Sequence, residues 1–436
     1  MSPFPILNRQ ALYLRPDPSR VIVRPFKPTT EPRDLNPTDK TRANHIVERV
    51  LSLDAATAAA QLADVLENFL GRHRNLLQAF ELRAEEMEAA LADHAAFTQV
   101  QRQLVGAYFL NEYSFEASAL FNPSIVAHPD QSGMPEGSVR FVLSLRAVGE
   151  GHISSLTFQS GSIASDGTVK VDPTARLASS PDIVKRPSGP GGDVVEVTFS
   201  STEEISERVI FPVTESQLNG IEDARFVQFE DNGRSIYYAT YTAYSGRAIR
   251  SELIETSDFL SFRLSALKGN AARNKGMALF PRKIDGKYAM IARQDNENLY
   301  LIYSDDLYTW DGGLPILKPE FPWEFIQIGN CGSPIELDEG WLLLTHGVGP
   351  LRKYSIGAAL LDKKDPSKVI GRLREPLLRP DPSEREGYVP NVVYTCGAMR
   401  HGHNIIFPYA VSDTFSNFAT IEIAALMRAM DVVMAA

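Results

Sequence analysis

From Asn122 onward the chain repeats itself, and a repeat of this period admits few folds. Each unit opens on a polar-Pro or Asp-x-Arg segment, runs through β-rich sequence and a Gly turn, and closes on an aromatic strand. The copies begin at Asn122-Pro123-Ser124, Glu222-Asp223-Ala224-Arg225, Phe280-Pro281-Arg282-Lys283, Ser333-Pro334-Ile335 and Val389-Pro390-Asn391. Hairpin turns recur inside them: Asp231-Asn232-Gly233, Asp285-Gly286, Asp338-Glu339-Gly340 and His401-Gly402-His403, each followed by aromatic residues. The last three intervals are about 50–60 residues, the length of a propeller blade. The longer first interval holds an inserted hairpin within 163–210, with Asp166-Gly167 and Gly189–Gly192 as its turns. The expected fold is therefore mainly β, a five-bladed β-propeller over 119–436. In a propeller the polar residues that open the repeats should converge at one mouth of the central channel.

Upstream the period changes. Residues 1–35, rich in Pro and Arg, read as an extended segment, and 36–118 as a helical arm. In Ala55–Phe69 the apolar Leu62, Val65, Leu66 and Phe69 fall three and four apart, with Asp54 as N-cap and Gly71 as stop. A second helix spans Leu76–Leu91 and a third runs from about Phe97 to Phe109. The arm shows no catalytic constellation; its expected role is packing or oligomerisation.

Composition removes several classes of function. A net charge of −10 and a pI near 5.4 argue against a nucleic-acid binder. No apolar run approaches the roughly 18–20 residues of a membrane span. Met1–Pro16 carries no secretory pattern, so a cytoplasmic protein is expected. Two cysteines, Cys331 and Cys396, make neither a disulfide framework nor a zinc site and read as buried apolar residues. Pro187–Gly192 lacks the Lys-Ser/Thr ending of a phosphate loop. His401-Gly402-His403 reads as a solvent-facing turn, and Asp305-Asp306 with Trp310 as a turn with a packing aromatic.

The repeat carries a resemblance. Asn122-Pro123, Leu145-Arg146-Ala147, Gly220–Arg225, Phe280–Lys283, Thr345-His346-Gly347-Val348 and Tyr354–Asp362, in this order and at these spacings, resemble glycoside hydrolase family 130. That family comprises inverting β-mannoside phosphorylases and a smaller set of β-1,2-mannosidases. The resemblance covers about 120–427 and excludes the arm.

It implies roles. Breaking a glycosidic bond needs an acid for the departing oxygen and a nucleophile on the opposite face of the sugar. A phosphorylase replaces the base and water with phosphate, so it needs cations and hydroxyls to hold that anion. By resemblance Asp223 is the general acid, acting through a sugar hydroxyl. Asn122, Ser124, Arg146 and Asp413 match positions holding the sugar beside the cleaved bond. Arg247, Lys275, Arg293, His346 and Tyr354 are the phosphate candidates, with Arg273 competing with Lys275 for one position. Gln327 stands where phosphorylases of the family often carry Lys. The balance favours inverting phosphorolysis of a β-mannosyl oligosaccharide to α-mannose 1-phosphate, with inorganic phosphate as co-substrate and no metal or organic cofactor. Two other readings stay open: an inverting β-1,2-mannosidase with Glu297 or Glu150 as base, and a non-catalytic sugar-binding propeller.

Overall fold

The structure, a computed structural model, describes residues 7–29, 40–90, 97–189 and 192–432. Parts of the expected extended segment, Leu91 and the tip of the Gly189–Gly192 turn lie outside the described residues. The chain divides into two compact units: Pro18–Phe115 with Arg176–Ser180, and Met1–Asp17 with Glu116–Ala175 and Pro181–Ala436.

The smaller unit holds the helices. Thr41 caps Arg42–Leu51 in a reciprocal box with Asn44, and Thr98 does the same for Gln99–Tyr108 with Gln101. Asp54 caps Ala55–Phe69, its Oδ1 accepting the Thr57 N–H at 2.8 Å. That helix does not stop at Gly71; it tightens into a 3₁₀ turn over Leu70–Arg72. Val47, Val50, Leu62, Met87, Leu104 and Val105 form the core. Leu76–Ala90 approaches Gln99–Tyr108 so closely that a Cβ on Gly106 would fall 2.0 Å from the Phe80 carbonyl oxygen. Val21–Pro25 pairs antiparallel with Leu110–Ser114, which puts a strand inside the expected extended segment.

The larger unit is mainly β. Its first sheet carries Ala119–Ala127, Val139–Val148 and Ser154–Ile163. A second set follows through Gly220–Asp231, Arg234–Tyr244, Ile249–Thr256 and Ser261–Ala266. The two sets join at one parallel pairing, Gly220 with Ser154, where Gly220 has φ +143° and a Cβ would meet Ser154 Oγ at 2.2 Å. The inserted hairpin forms from Asp182–Gly189 and Gly192–Thr198 and extends the second set beyond Ser261–Ala266. Three smaller antiparallel groups follow: Ala278–Leu279 to Leu314–Leu317, Gln327–Asn330 to Val369–Arg372, and Val393–Tyr394 to Phe415–Glu422. The expected turns are present, with Asn232 at φ 52° and Asp285 at φ 48°, as two-residue hairpins require.

Apolar cores lie between consecutive sheets. Val142 and Phe158 pack with Phe226, Tyr241 and Phe262; Val227 and Leu253 with Met290, Ile302 and Trp310. Ile291 and Leu301 meet Trp341 and Leu361; Leu342 and Ile356 meet Tyr409 and Ile421. A last core joins Val392, Tyr394 and Ala410 of the fifth group to Ala119 and Phe121 of the first. The short strand Asn8–Arg9 pairs with Thr420 and Ala419 on the edge of that fifth group.

Candidate active site

The inner strands of the first two sheets are interrupted at corresponding places. Register breaks between Phe121 and Ser124 against Val139–Val148, and between Glu222 and Arg225 against Arg234–Tyr244. At each bulge one residue adopts a left-handed backbone, Asn122 at φ 48° and Asp223 at φ 53°. Asn and Asp tolerate this conformation, and a bulge re-aims the side chain it carries. Asp413, at φ 47°, does the same at the turn between Asn404–Val411 and Phe415–Glu422. All three side chains line one cavity of about 170 Å³.

Asp223 is its most bonded member. Oδ1 accepts from Asn122 Nδ2 at 2.6 Å and from Arg146 Nη1 at 3.2 Å. Arg146 also donates to Glu222 Oε1 at 2.7 Å and lies over the Phe121 ring. Arg225 Nη1 donates to the Asp223 carbonyl oxygen and Nη2 to Tyr394 Oη at 2.8 Å. Burial pushes the Asp223 carboxyl up, but Arg146, Arg225 and Lys275, with the Asn122 hydrogen bond, overcome it and hold the group at about 2. Asp413 goes the other way: burial, with Asp223 and Glu222 nearby, raises it to about 7 against the pull of Arg146 and Arg352.

The opposite wall is cationic and aromatic. Arg293 Nη1 lies 3.5 Å from His346 Nε2, and the His346 ring stacks on Tyr354 at 5.9 Å between centroids. Burial first, then Arg293 and Arg225, keep His346 neutral. Arg146, Arg225, Lys275, Arg293 and Arg352 give the lining five cations against the carboxylates of Asp223 and Asp413. Several buried polar atoms there have no protein partner: Asn122 Oδ1, both amide atoms of Asn330, His346 Nδ1 and the Nε atoms of Arg225 and Arg293. Buried groups of this kind are normally satisfied, so their convergence marks a place for a polar ligand.

Eight expected residues meet here: Asn122, Arg146, Asp223, Lys275, Arg293, His346, Tyr354 and Asp413. Two do not. Ser124 is buried in the sheet, its Oγ accepting the Phe226 N–H at 3.0 Å, so it staples two strands. Arg247 sits exposed in the 245–248 turn, with its N–H directed to Ser245 Oγ. Lys275 rather than Arg273 lines the cavity; Arg273, two residues earlier, is the exposed end of the Ala271–Arg273 3₁₀ turn, whose two alanines are buried. Neither Glu297 nor Glu150 lines it; Gln327 does.

Of the repeat openings, the first and second bring their polar residues to the cavity, and the fifth reaches it only through the apolar Val389. Pro281-Arg282 and Ser333-Pro334-Ile335 line a different cavity, where Arg282 forms a two-pronged ion pair with Glu336. The third and fourth groups reach the site through Lys275-Gly276 and Gln327–Asn330, just before the motifs that mark the repeat, and through Arg293 and His346 after them. His401 is likewise not free in solvent, since its Nε2 lies 2.9 Å from the Ala164 carbonyl oxygen. Arg352, Tyr394 and Asn330 escaped the sequence reading. Only Arg352 left a signal: the 349–353 loop repeats the left-handed 149–153 loop.

The family model described as β-1,4-mannooligosaccharide phosphorylase, glycoside hydrolase family 130, matches residues 197–432. A 1,2-β-oligomannan phosphorylase from Thermoanaerobacter sp. is 38% identical over 214 residues, which cover 48% of this chain and 70% of that protein. A β-1,2-mannobiose phosphorylase from Listeria innocua is 33% identical over 233 residues, 51% of this chain and 63% of that one. A solved glycosyl hydrolase from Bacteroides ovatus shares the fold at a TM-score of 0.52 and 17% identity, over 72% of this chain and 86% of that one.

Proposed function

The chain belongs to glycoside hydrolase family 130, and from that premise we propose that it is an inverting β-mannoside phosphorylase built on a five-bladed propeller. The five-blade reading rests on the succession of inter-sheet cores, the core joining the fifth group to the first, and the Asn8–Arg9 strand on the last sheet.

One observation supports phosphorolysis over hydrolysis: a chain of net charge −10 concentrates five cations on one small cavity. Lys275, Arg293 and Arg352, with His346 and Tyr354 as neutral partners, suit a phosphate dianion. A phosphate oxygen attacks the anomeric carbon from one face while the bond to the leaving sugar breaks on the other. Asp223 supplies the leaving oxygen's proton through a sugar hydroxyl, and α-mannose 1-phosphate departs with a shortened sugar. Held at about 2 by the cations around it, Asp223 is too acidic for this by itself. The arriving dianion offsets the cations that depress it, so phosphate binding and Asp223 protonation are coupled. Asn122, Arg146 and Asp413 hold the mannosyl hydroxyls.

Asp413 is the other carboxylate in the cavity, and a hydrolase would need it as base. A carboxyl raised to about 7 suits such a base, so the case for phosphorolysis rests on the five cations that line the cavity and not on this group. The substrates are an oligosaccharide and inorganic phosphate, and the reaction as written uses no metal or organic cofactor. We place the enzyme in the cytoplasm; no helix among the described residues is long and apolar enough to cross a membrane. Exposed Phe69, Leu70, Leu82 and Tyr108 on the helices suit self-association through the arm.

The test is product analysis on β-1,2- and β-1,4-mannobiose with and without phosphate. Mannose 1-phosphate formed only with phosphate supports the reading; free mannose at a phosphate-independent rate overturns it.

A further inference from the structure

Tyr388 is 44% exposed, yet it is held in place from three sides. Its N–H donates to Thr414 Oγ1 at 2.8 Å. Gly387 beside it packs so tightly that a Cβ would lie 2.4 Å from Thr414 Oγ1 and 2.6 Å from the Ser412 carbonyl oxygen. Val389 on its other side donates its N–H to that carbonyl and lines the cavity. Tyr388 is thus pinned to the turn that carries Asp413.

The ring is fixed as well. Tyr388 Oη lies 2.8 Å from His152 Nδ1, with the two rings 5.7 Å apart. His152 sits in a left-handed loop, φ 60°, closed by the Gly149 N–H to the Ile153 carbonyl. The 349–353 loop has the same closure, and the residue corresponding to His152 there is Arg352, which lines the cavity. One loop supplies a cation to the cavity; the other fixes an exposed aromatic one residue from the lining Val389, a position we take as the rim.

We propose that Tyr388, oriented by His152, is the platform on which the leaving sugar of the mannoside rests. This deepens the phosphorylase reading and rests on it. The cations line the interior and suit phosphate, whereas the rim offers an aromatic face whose hydroxyl already has a partner. A pyranose presents a patch of C–H groups that packs on such a face, and a ring held in one rotamer loses little entropy when it does so.

The test is kinetics in the synthetic direction. Tyr388→Ala is expected to raise the acceptor-sugar KM about tenfold, with the KM for α-mannose 1-phosphate unchanged. Tyr388→Phe should stay within about twofold of wild type, and His152→Ala should fall between, since it frees the ring without removing it. An unchanged acceptor KM in Tyr388→Ala, or an equal rise for donor and acceptor, overturns the proposal. Calorimetric titration with β-1,2-mannobiose in the absence of phosphate reads the same contact without turnover. A wild type that makes no mannose 1-phosphate defeats the phosphorylase reading, while weakened mannobiose binding by Tyr388→Ala would still support the platform, and unweakened binding would overturn it.

Discussion

Asn122 and Asp223 occupy corresponding bulges on neighbouring inner strands, and Asn122 Nδ2 donates to Asp223 Oδ1 across 2.6 Å. Both are left-handed, so the same backbone irregularity that breaks two ladders brings the two side chains together. A bulge costs local pairing; here it gives each strand one residue that leaves the alternation and enters the cavity.

Asp223→Asn is expected to lower phosphorolysis about 100- to 10,000-fold while mannobiose binding persists, because the amide keeps the shape and lacks the transferable proton. A fully active, correctly folded variant would remove Asp223 from the acid role.

Asn122→Ala separates backbone from side chain. Alanine in the left-handed region costs about 1–2 kcal/mol, read as a lower Tm, whereas Asn122→Gly escapes that cost. Both variants should lose turnover alike, since both remove the donor to Asp223. Activity that tracked stability instead would make Asn122 structural.

Arg293→Ala should raise the phosphate KM at least tenfold with little change in mannobiose affinity. Arg247→Ala serves as the control, and its exposed turn predicts kinetics within about twofold of wild type. A large phosphate effect at Arg247 would contradict the placement of that side chain.

Asp413 predicts a pH dependence of stability. Its carboxyl rises from 3.8 to about 7 on folding, so the folded chain binds this proton more tightly than the unfolded one. Stability from this group is full below about 4, declines as pH rises toward about 7, and is flat above. Asp413→Asn should therefore gain Tm relative to wild type at pH 8 and lose that advantage near pH 4. Asp223 has the opposite sign: held at about 2, it contributes stability above about 4 that is lost as pH falls through 2.

Gly329→Ala tests the cationic wall from behind. A Cβ there would lie 2.2 Å from His346 Cε1, so the imidazole must move. The phosphate KM should rise; unaltered kinetics would show that His346 is not needed where it stands.

The sequence by itself determined the kind of structure and the family. Period-two patterning with Asn-Gly and Asp-Gly turns specifies hairpins locally, and Asp54 declares its helix start, because both signals act within a few residues. The motifs around Asn122, Asp223 and His346 identified the family for the same reason. Which residues share the cavity was a tertiary decision. Asn330 and Arg352 belong to the fourth group and Tyr394 to the fifth, and they meet Asp223 of the second only through how the sheets stack. Ser124 and Arg247 look polar and available in one dimension, but a strand's neighbour claims the first and a hairpin's end turns the second into solvent. Local patterns fix elements because their energies are local; a site assembled from distant strands is fixed only when the cores between sheets set their relative positions.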